Sequence, residues 1–167
     1  MPIAPETVLR FNLAWLNNLE ELAELMDGVK NEIFLDLPIG RTKPPNNSYT
    51  IEELGPFIHK YKNIKYLAVS NIESSSDLAP YINLEHDLTI VPKIETKKGV
   101  ENIAEIVDAL ASQPQRMIML DHDDLFSSLI KNKVHPDEFP AYIDQLVHFC
   151  KEHNITLLRT RGVIFSN

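Results

Sequence analysis

The 167-residue sequence is poor in cysteine and glycine, and it has no long apolar run. A single cysteine, Cys150, excludes a disulfide within the chain and favours a reducing, cytoplasmic compartment. Five glycines are too few for the glycine-rich loops that bind phosphates. The apolar runs fall short of the roughly 18 residues of a membrane span, and the N-terminal residues lack the pattern of a signal peptide. We therefore expect no membrane partner.

Basic residues are also in the minority, with 16 lysines and arginines against 24 acidic residues. The resulting net charge of −8 argues against nucleic acid as a partner, because nucleic acid requires a clustered basic surface. The hydrophobic fraction of 44% is that of an ordinary globular protein. Length and composition together predict one domain over residues 1–167.

Six short apolar runs alternate with amphipathic segments along the chain. Most runs are apolar on both faces, which is typical of parallel strands covered by helices. The alternation predicts an α/β fold with about six parallel strands, either an open doubly wound sheet or a (β/α) barrel. The runs are Val8–Leu13, Glu32–Ile39, Lys65–Ile72, Leu88–Ile94, Arg116–Leu120 and Thr156–Phe165.

The amphipathic segments predict one helix between each pair of successive strands. In the second of them, Thr50 and Glu53 form a capping-box pattern, and Gly55-Pro56 predicts a kink. The predicted helices are Asn17–Val29, Thr50–Tyr61, Ser75–Ile82, Val100–Ala111 and Asp137–His153.

Polar side chains close every predicted strand at its C-terminal end. Period-two alternation places Arg10 with Asn12, and Lys93 with Glu95, on one face of their own strands. The C-terminal end of the strands is where parallel sheets and barrels build active sites. The residues are Arg10 and Asn12, Asp36, Ser70, Lys93 and Glu95, the run Asp121-His122-Asp123-Asp124, and Thr160.

Lys93 and Glu95 carry the most specific signal, because they share a face directly after an apolar run. Burying a charge is costly unless the charge is paired or binds a metal. Glu95 and Asp124 together offer two carboxylates to one divalent cation, the number that Mg²⁺ commonly takes from a protein. Lys93 beside them would neutralise, or protonate, an anion that develops on a bound substrate.

Two segments, TIVPKIETKKGVENIAEIVDAL and RMIMLDHDDL, resemble the pyruvate kinase barrel, in which a K-I-E strand, a G-V-x-N helix start and a strand ending in G-D-L recur in that order. Four further segments resemble other strands of that barrel: VLRFNLAW, EIFLDLPIGRTK, KYLAVSNI and CKEHNITLLRTRGVIFSN. A second match is the wider phosphoenolpyruvate/pyruvate superfamily. The I-E-T-x-x-G-V and D-D-L-x-x-S-L patterns of its citrate lyase β-subunit and hydroxy-acid aldolase branch resemble Ile94–Val100 and Asp123–Leu129.

The resemblance implies an incomplete or open TIM-type barrel with a metal-dependent site. Glu95 and Asp124 would bind Mg²⁺ or Mn²⁺, and Lys93 would stabilise an enolate or a transferring phosphoryl group. Arg10 would contact a phosphate or carboxylate of the substrate, and Thr160 would lie beside its methyl or methylene carbon.

Ser70 and Asp123 would complete the substrate pocket on the same resemblance. It also gives half of a potassium site: Asn12 and Asp36 match two of four ligands, whereas Ala14 and Leu37 stand at the other two positions.

Whole elements of the pyruvate kinase pattern are missing. Residues 41–49 are predicted to form a short loop where a lid domain would be inserted, and the first and eighth strands and the C-terminal domain of the pattern have no counterpart in this sequence. Six strands leave two unpaired edges, which favour association. We therefore expect a homo-oligomer or a partner chain that covers the edges.

Three functional hypotheses remain open at this stage. The first is a metal-dependent transferase-type enzyme that acts on phosphoenolpyruvate, pyruvate or a related 2-oxo acid through an enolate. The second is a carbon–carbon lyase of the citrate lyase β or hydroxy-acid aldolase type. The third is a non-catalytic barrel remnant that acts as a binding or assembly subunit.

Overall fold

The computed structural model describes residues 4–41 and 43–160. Six parallel strands pair strictly in chain order, each with its sequence neighbour, and curl into an open half-barrel. The predicted α/β barrel-like fold is therefore confirmed. The strands are β1 (Leu9–Asn12), β2 (Ile33–Leu37), β3 (Ile64–Val69), β4 (Thr89–Ile94), β5 (Met117–Asp121) and β6 (Thr156–Thr160).

Seven α-helices lie between the strands of the described chain. Two short 3-10 helices, Leu13–Trp15 and Pro136–Glu138, supplement them. The α-helices are α1 (Leu19–Met26), α2 (Ile51–Lys60), α3 (Ser75–Leu78), α4 (Lys97–Glu101), α5 (Ile103–Asp108), α6 (His122–Lys131) and α7 (Phe139–Glu152).

The prediction of a single helix between β5 and β6 is wrong, because α6 and α7 both lie there. Helix α6 begins directly after β5, and the side chain of Asp121 caps it by accepting a hydrogen bond from the backbone N–H of Asp124 (N···O 3.3 Å). The acidic run is therefore the start of a helix. Acidic side chains are favourable there because of the helix dipole.

Two other helical segments differ from expectation in detail. Helix α2 runs from Ile51 to Lys60 with Pro56 inside it, and both halves of the predicted capping box are formed. The segment predicted as Val100–Ala111 starts earlier and is divided at Asn102 into α4 and α5. Residues 161–165 of the sixth predicted strand lie outside the described residues.

The sheet has two buried faces, as the apolar runs indicate. Alternate residues such as Leu35 and Leu67 point outward into a large core beneath the helices. The others point inward and form a small second core of Phe34, Ala68, Val91, Met117 and Met119. The inward-facing set continues at the C-terminal ends of the strands into the polar residues of the candidate site.

Gly99 in α4 permits a close approach that fixes this helix next to the site. A Cβ atom at Gly99 would lie 2.7 Å from the carbonyl oxygen of Ile72, closer than real side chains come. Thr96 caps the same helix by accepting a hydrogen bond from the Gly99 N–H. In the described ranges, no helix has the length and apolar character needed to cross a bilayer.

Candidate active site

A cleft of about 370 Å³ opens at the C-terminal ends of the strands. Its lining brings together six residues that the sequence analysis singled out. They come from four different strands and from α6, so the curl of the sheet is what assembles them. These six are Asn12, Asp36, Ser70, Lys93, Glu95 and Asp124.

Lys93 lies at the floor of the cleft, with only 7% of its surface exposed. Its Nζ atom lies 2.8 Å from Oε1 of Glu95, 3.3 Å from Oδ1 of Asp36 and 3.1 Å from Oγ of Ser70. An ammonium group has three hydrogens, so these three acceptors match its donors in number. Burial lowers the pKa of Lys93, but the charges of Glu95 and Asp36 outweigh burial and hold that pKa above its ordinary value. Lys93 is therefore a fixed cation at neutral pH.

Glu95 is 3% exposed and is held at both of its oxygens. Oε1 accepts from Lys93, and Oε2 accepts from the backbone N–H of Asn71 at 2.8 Å. Asn71 has a left-handed backbone conformation (φ +56°), which asparagine tolerates better than most residues. Burial raises the pKa of Glu95, although Lys93 and the Asn71 N–H act in the opposite direction.

Glu95, Asp121 and Asp124 form a cluster of three carboxylates. One oxygen of each lies within 4.8 Å of the corresponding oxygens of the other two. Glu95 follows β4, Asp121 ends β5 and Asp124 lies in the first turn of α6. Such proximity of like charges is unfavourable unless a cation compensates them. Lys93, which is paired with Glu95, places one positive charge beside the cluster.

The donor set of this cluster fits a hard divalent cation. Three carboxylates are oxygen ligands of the kind that Mg²⁺ and Mn²⁺ prefer, whereas zinc sites commonly use histidine or cysteine. Asp124 faces the cleft, so a cation held by these residues would be accessible to a ligand there.

The residues present do not fit a potassium site. Oδ1 of Asp36 accepts from Lys93, and Oδ2 accepts from the Arg10 guanidinium. The side-chain oxygen of Asn12 accepts from the backbone N–H of Ala14 at 3.0 Å. Leu37 points into the outer core. Two protein cations therefore occupy the position beside Asp36.

Three further predicted site residues are absent from the lining of the cleft. Arg10 is paired with Asp36. Thr160 pairs in register with Asp121, and its hydroxyl donates to the carbonyl of Leu120 at 3.2 Å. Asp123 is exposed in the first turn of α6.

From the sequence, Asp121 is identified only as part of the polar run after the fifth strand and is not assigned as a metal ligand, and Asn71 is missed. Asp121 shares the inner face with Met117 and Met119, so alternation along β5 carried a usable signal. Asn71 contributes through its backbone, for which the sequence contains no signal. Arg41 and Lys43 of the loop after β2, and Lys131 of α6, also line the cleft and were not predicted.

No family model and no curated protein matches this sequence. Many solved structures share its fold, among them RipC and a malate synthase. RipC from Yersinia pestis superposes with a TM-score of 0.66 at 14% identity, covering 96% of this chain and 72% of RipC. A malate synthase from Haloferax volcanii, in a ternary complex with pyruvate and acetyl-CoA, superposes with a TM-score of 0.67 at 8% identity. That match covers 92% of this chain and 50% of the malate synthase, so the chain spans about half the length of that enzyme. At these identities the likeness concerns the fold alone, which is a parallel barrel-like arrangement common to all three chains.

Proposed function

We propose that this protein is a divalent-metal-dependent enzyme that acts on a 2-oxo acid, such as pyruvate or phosphoenolpyruvate, through an enolate. The observation that carries the proposal is the placement of three carboxylates beside a buried ammonium group. Glu95, Asp121 and Asp124 would hold the cation, and Lys93 lies 2.8 Å from Glu95. Mg²⁺ or Mn²⁺ bound there would supply Lewis-acid polarisation of the substrate carbonyl oxygen.

The protein's own residues would stabilise the negative charge that develops on that oxygen. Lys93 keeps its proton at neutral pH, so it contributes a positive charge and does not act as a base. Ser70 accepts one hydrogen bond from Lys93 and retains its hydroxyl hydrogen for a second partner. Asp36 fixes Lys93 and Arg10 side by side, which orients both cations before a substrate arrives.

The carbon–carbon lyase alternative is favoured over phosphoryl transfer by one feature of this chain. The connection from β2 to α2 spans only residues 38–50, which leaves no room there for an inserted nucleotide-binding lid. Lyase or condensation chemistry needs the same enolate but no nucleotide. The malate synthase that shares the fold was solved with pyruvate and acetyl-CoA.

The two outer strands support a proposal about assembly. In the described chain, β1 pairs only with β2, and β6 pairs only with β5. Their free edges favour pairing with another chain. We expect a homo-oligomer or a partner subunit, which light scattering after size exclusion would detect. An inactive protein that nevertheless assembles would favour the binding-subunit hypothesis.

Exchange of the methyl protons of pyruvate with deuterium tests the enolate step shared by the enzymatic hypotheses. Proton NMR should show exchange that depends on both protein and Mg²⁺ or Mn²⁺. Glu95→Gln should abolish most of it, because this change removes the buried carboxylate of the cluster. Glu105→Gln, on a helix away from the cleft, is the matched control. Absence of exchange with every divalent cation would overturn the proposal.

A further inference from the structure

We propose that the cleft contains a second anion-binding subsite, formed by Arg41, Lys43 and Lys131, and that the substrate is a 2-oxo or 2-hydroxy acid with a second anionic group at its far end. This inference rests on the proposed function, because the first carboxylate of such a ligand is assigned to the metal end of the cleft. It adds a substrate class that the acidic cluster alone does not specify.

The size of the cleft exceeds what a three-carbon acid fills. A cleft of about 370 Å³ lies within the range of about 300–1,000 Å³ that is typical of pockets for drug-sized ligands. Pyruvate, with six non-hydrogen atoms, is smaller than such ligands. The remaining space accommodates an extension of the carbon chain together with a terminal carboxylate or phosphate.

The charges in the cleft differ in their partners. Asp36 and Glu95 are buried at the floor, where they are paired with Lys93, and the exposed Asp124 belongs to the carboxylate cluster. The positive charges of Arg41, Lys43 and Lys131 lie on exposed residues at the rim. Across residues 4–41 and 43–160, no carboxylate lies within ion-pair distance of any of the three.

Lys93 is poorly placed to take over the recognition of a distant anion. All three of its hydrogens face acceptors of the protein, and it is buried at the floor. A group at the outer end of a longer substrate would instead meet the rim cations. The protein as a whole carries a net charge of −8, but these three cations form a local positive region that attracts anions.

Backbone carbonyl oxygens on both sides of Arg41 accept hydrogen bonds from side chains. The Arg41 Nε–H faces the carbonyl oxygens of Lys43 and Pro45, at 3.0 and 2.6 Å. The side chain of Asn71 donates to the carbonyl of Ile39 at 2.6 Å, which ties the loop to the segment that holds Glu95. Lys131 comes from α6, the helix that also carries Asp124. The rim cations and the acidic cluster are therefore positioned by shared elements. Asn71 contacts both the loop and Glu95, and α6 carries both Lys131 and Asp124.

Titration calorimetry of the full chain with Mn²⁺ and two matched pairs of ligands tests this subsite. Lactate and malate differ by a distal carboxylate, and glycerate and 3-phosphoglycerate differ by a distal phosphate. We expect the longer member of at least one pair to bind about tenfold more tightly, since a hydrogen bond between charged groups contributes a factor of this order. The pair with the larger ratio identifies the end group.

Substitutions at the rim test whether these cations cause the tighter binding of the longer ligand. Arg41→Gln and Lys131→Gln should each reduce the ratio to about threefold or less. Arg41→Lys should keep most of it because the positive charge at the rim remains. Lys30→Gln, an exposed site that is absent from the cleft lining, should leave the ratio unchanged. Thermal unfolding of each variant would show that the fold is intact.

The outcomes separate this inference from the proposed function. If lactate and glycerate bind in a Mn²⁺-dependent manner but neither longer ligand is preferred, the subsite is refuted and the metal-dependent site stands. A preference that survives all rim substitutions also refutes the subsite. If no ligand binds with or without Mn²⁺, both proposals fail.

Discussion

Replacement of Lys93 by methionine tests the electrostatic core of the site. The substitution keeps a long side chain but removes an ammonium group that contacts two carboxylates, at 2.8 and 3.3 Å. Removal of one partner from a buried ion pair costs about 3–5 kcal/mol. Asp36 keeps its pairing with Arg10 in the variant, so most of the cost comes from Glu95. We therefore expect a loss at the lower end, about 3 kcal/mol of unfolding free energy.

Chemical denaturation at pH 7 and thermal unfolding would measure this loss. A protein of this size loses about 2–4 °C of Tm per kcal/mol, so the Lys93→Met variant should melt about 6–12 °C lower. Lys97→Met is the matched control, because it removes a lysine from the exposed pair with Glu101 and should change stability far less.

A second substitution distinguishes lost charge pairing from lost packing. In the Lys93→Met background, Glu95→Gln removes the unpaired carboxylate and should restore more than half of the lost stability. If the two substitutions are instead additive, the buried ion pair is not the source of the effect, and the reasoning is refuted.

The pH dependence of the Lys93→Met variant has a defined sign. Burial already raises the pKa of Glu95 above its ordinary value of 4.5, and loss of the ammonium group raises it further. The folded variant then holds a proton on Glu95 more tightly than the unfolded chain does. Its stability falls as pH rises from about 4.5 through the folded-state pKa. The difference in unfolding free energy between the wild type and the variant should therefore decrease when the pH is lowered from 7 to 5.

Three other predictions follow from single contacts. Asp121→Asn keeps a side chain that caps α6 but should weaken Mn²⁺ binding about tenfold, as measured by calorimetry. The control Asp123→Asn should leave Mn²⁺ binding unchanged. Equal effects of the two substitutions would exclude Asp121 as a ligand. Gly99→Ala should cost about 1–3 kcal/mol in denaturation experiments because its methyl group meets the Ile72 carbonyl, and an unchanged midpoint would show that α4 can move away. Burial raises the pKa of Cys150 to about 11, so a thiol reagent at pH 8 should modify it only on unfolding, and rapid labelling of the native protein would contradict its burial.

The fold was largely predictable because each strand carries its own signal. Runs such as Glu32–Ile39 and Leu88–Ile94 contain the observed strands β2 and β4, with boundaries that differ by at most two residues. Helix α6 was missed for a physical reason. Its first turn is acidic and follows β5 without a loop, so the sequence HDDL reads as the polar end of a strand until the capping role of Asp121 is known.

The site was predictable where it depends on alternation and unpredictable where it depends on the backbone. Lys93, Glu95 and Asp36 follow apolar runs in register, which placed them on the inner face. Their catalytic and ligand roles remain predictions. The hydrogen bond from Asn71 to Glu95 depends on a backbone N–H and on a left-handed φ at Asn71. The pairing of Arg10 with Asp36 joins two different strands, and the sequence of either strand alone does not show that the two side chains lie within contact distance.

The strict chain-order pairing of the strands has a consequence for how the protein is made. Each strand can dock on the one synthesised just before it, so the sheet can grow from β1 onward while the chain emerges from the ribosome. Asp36 and Glu95 would already be present in such a nascent intermediate, whereas Asp121 and Asp124 come last. The carboxylate cluster is therefore completed only after four strands are in place, so most of the sheet can form before the three acidic side chains are brought together.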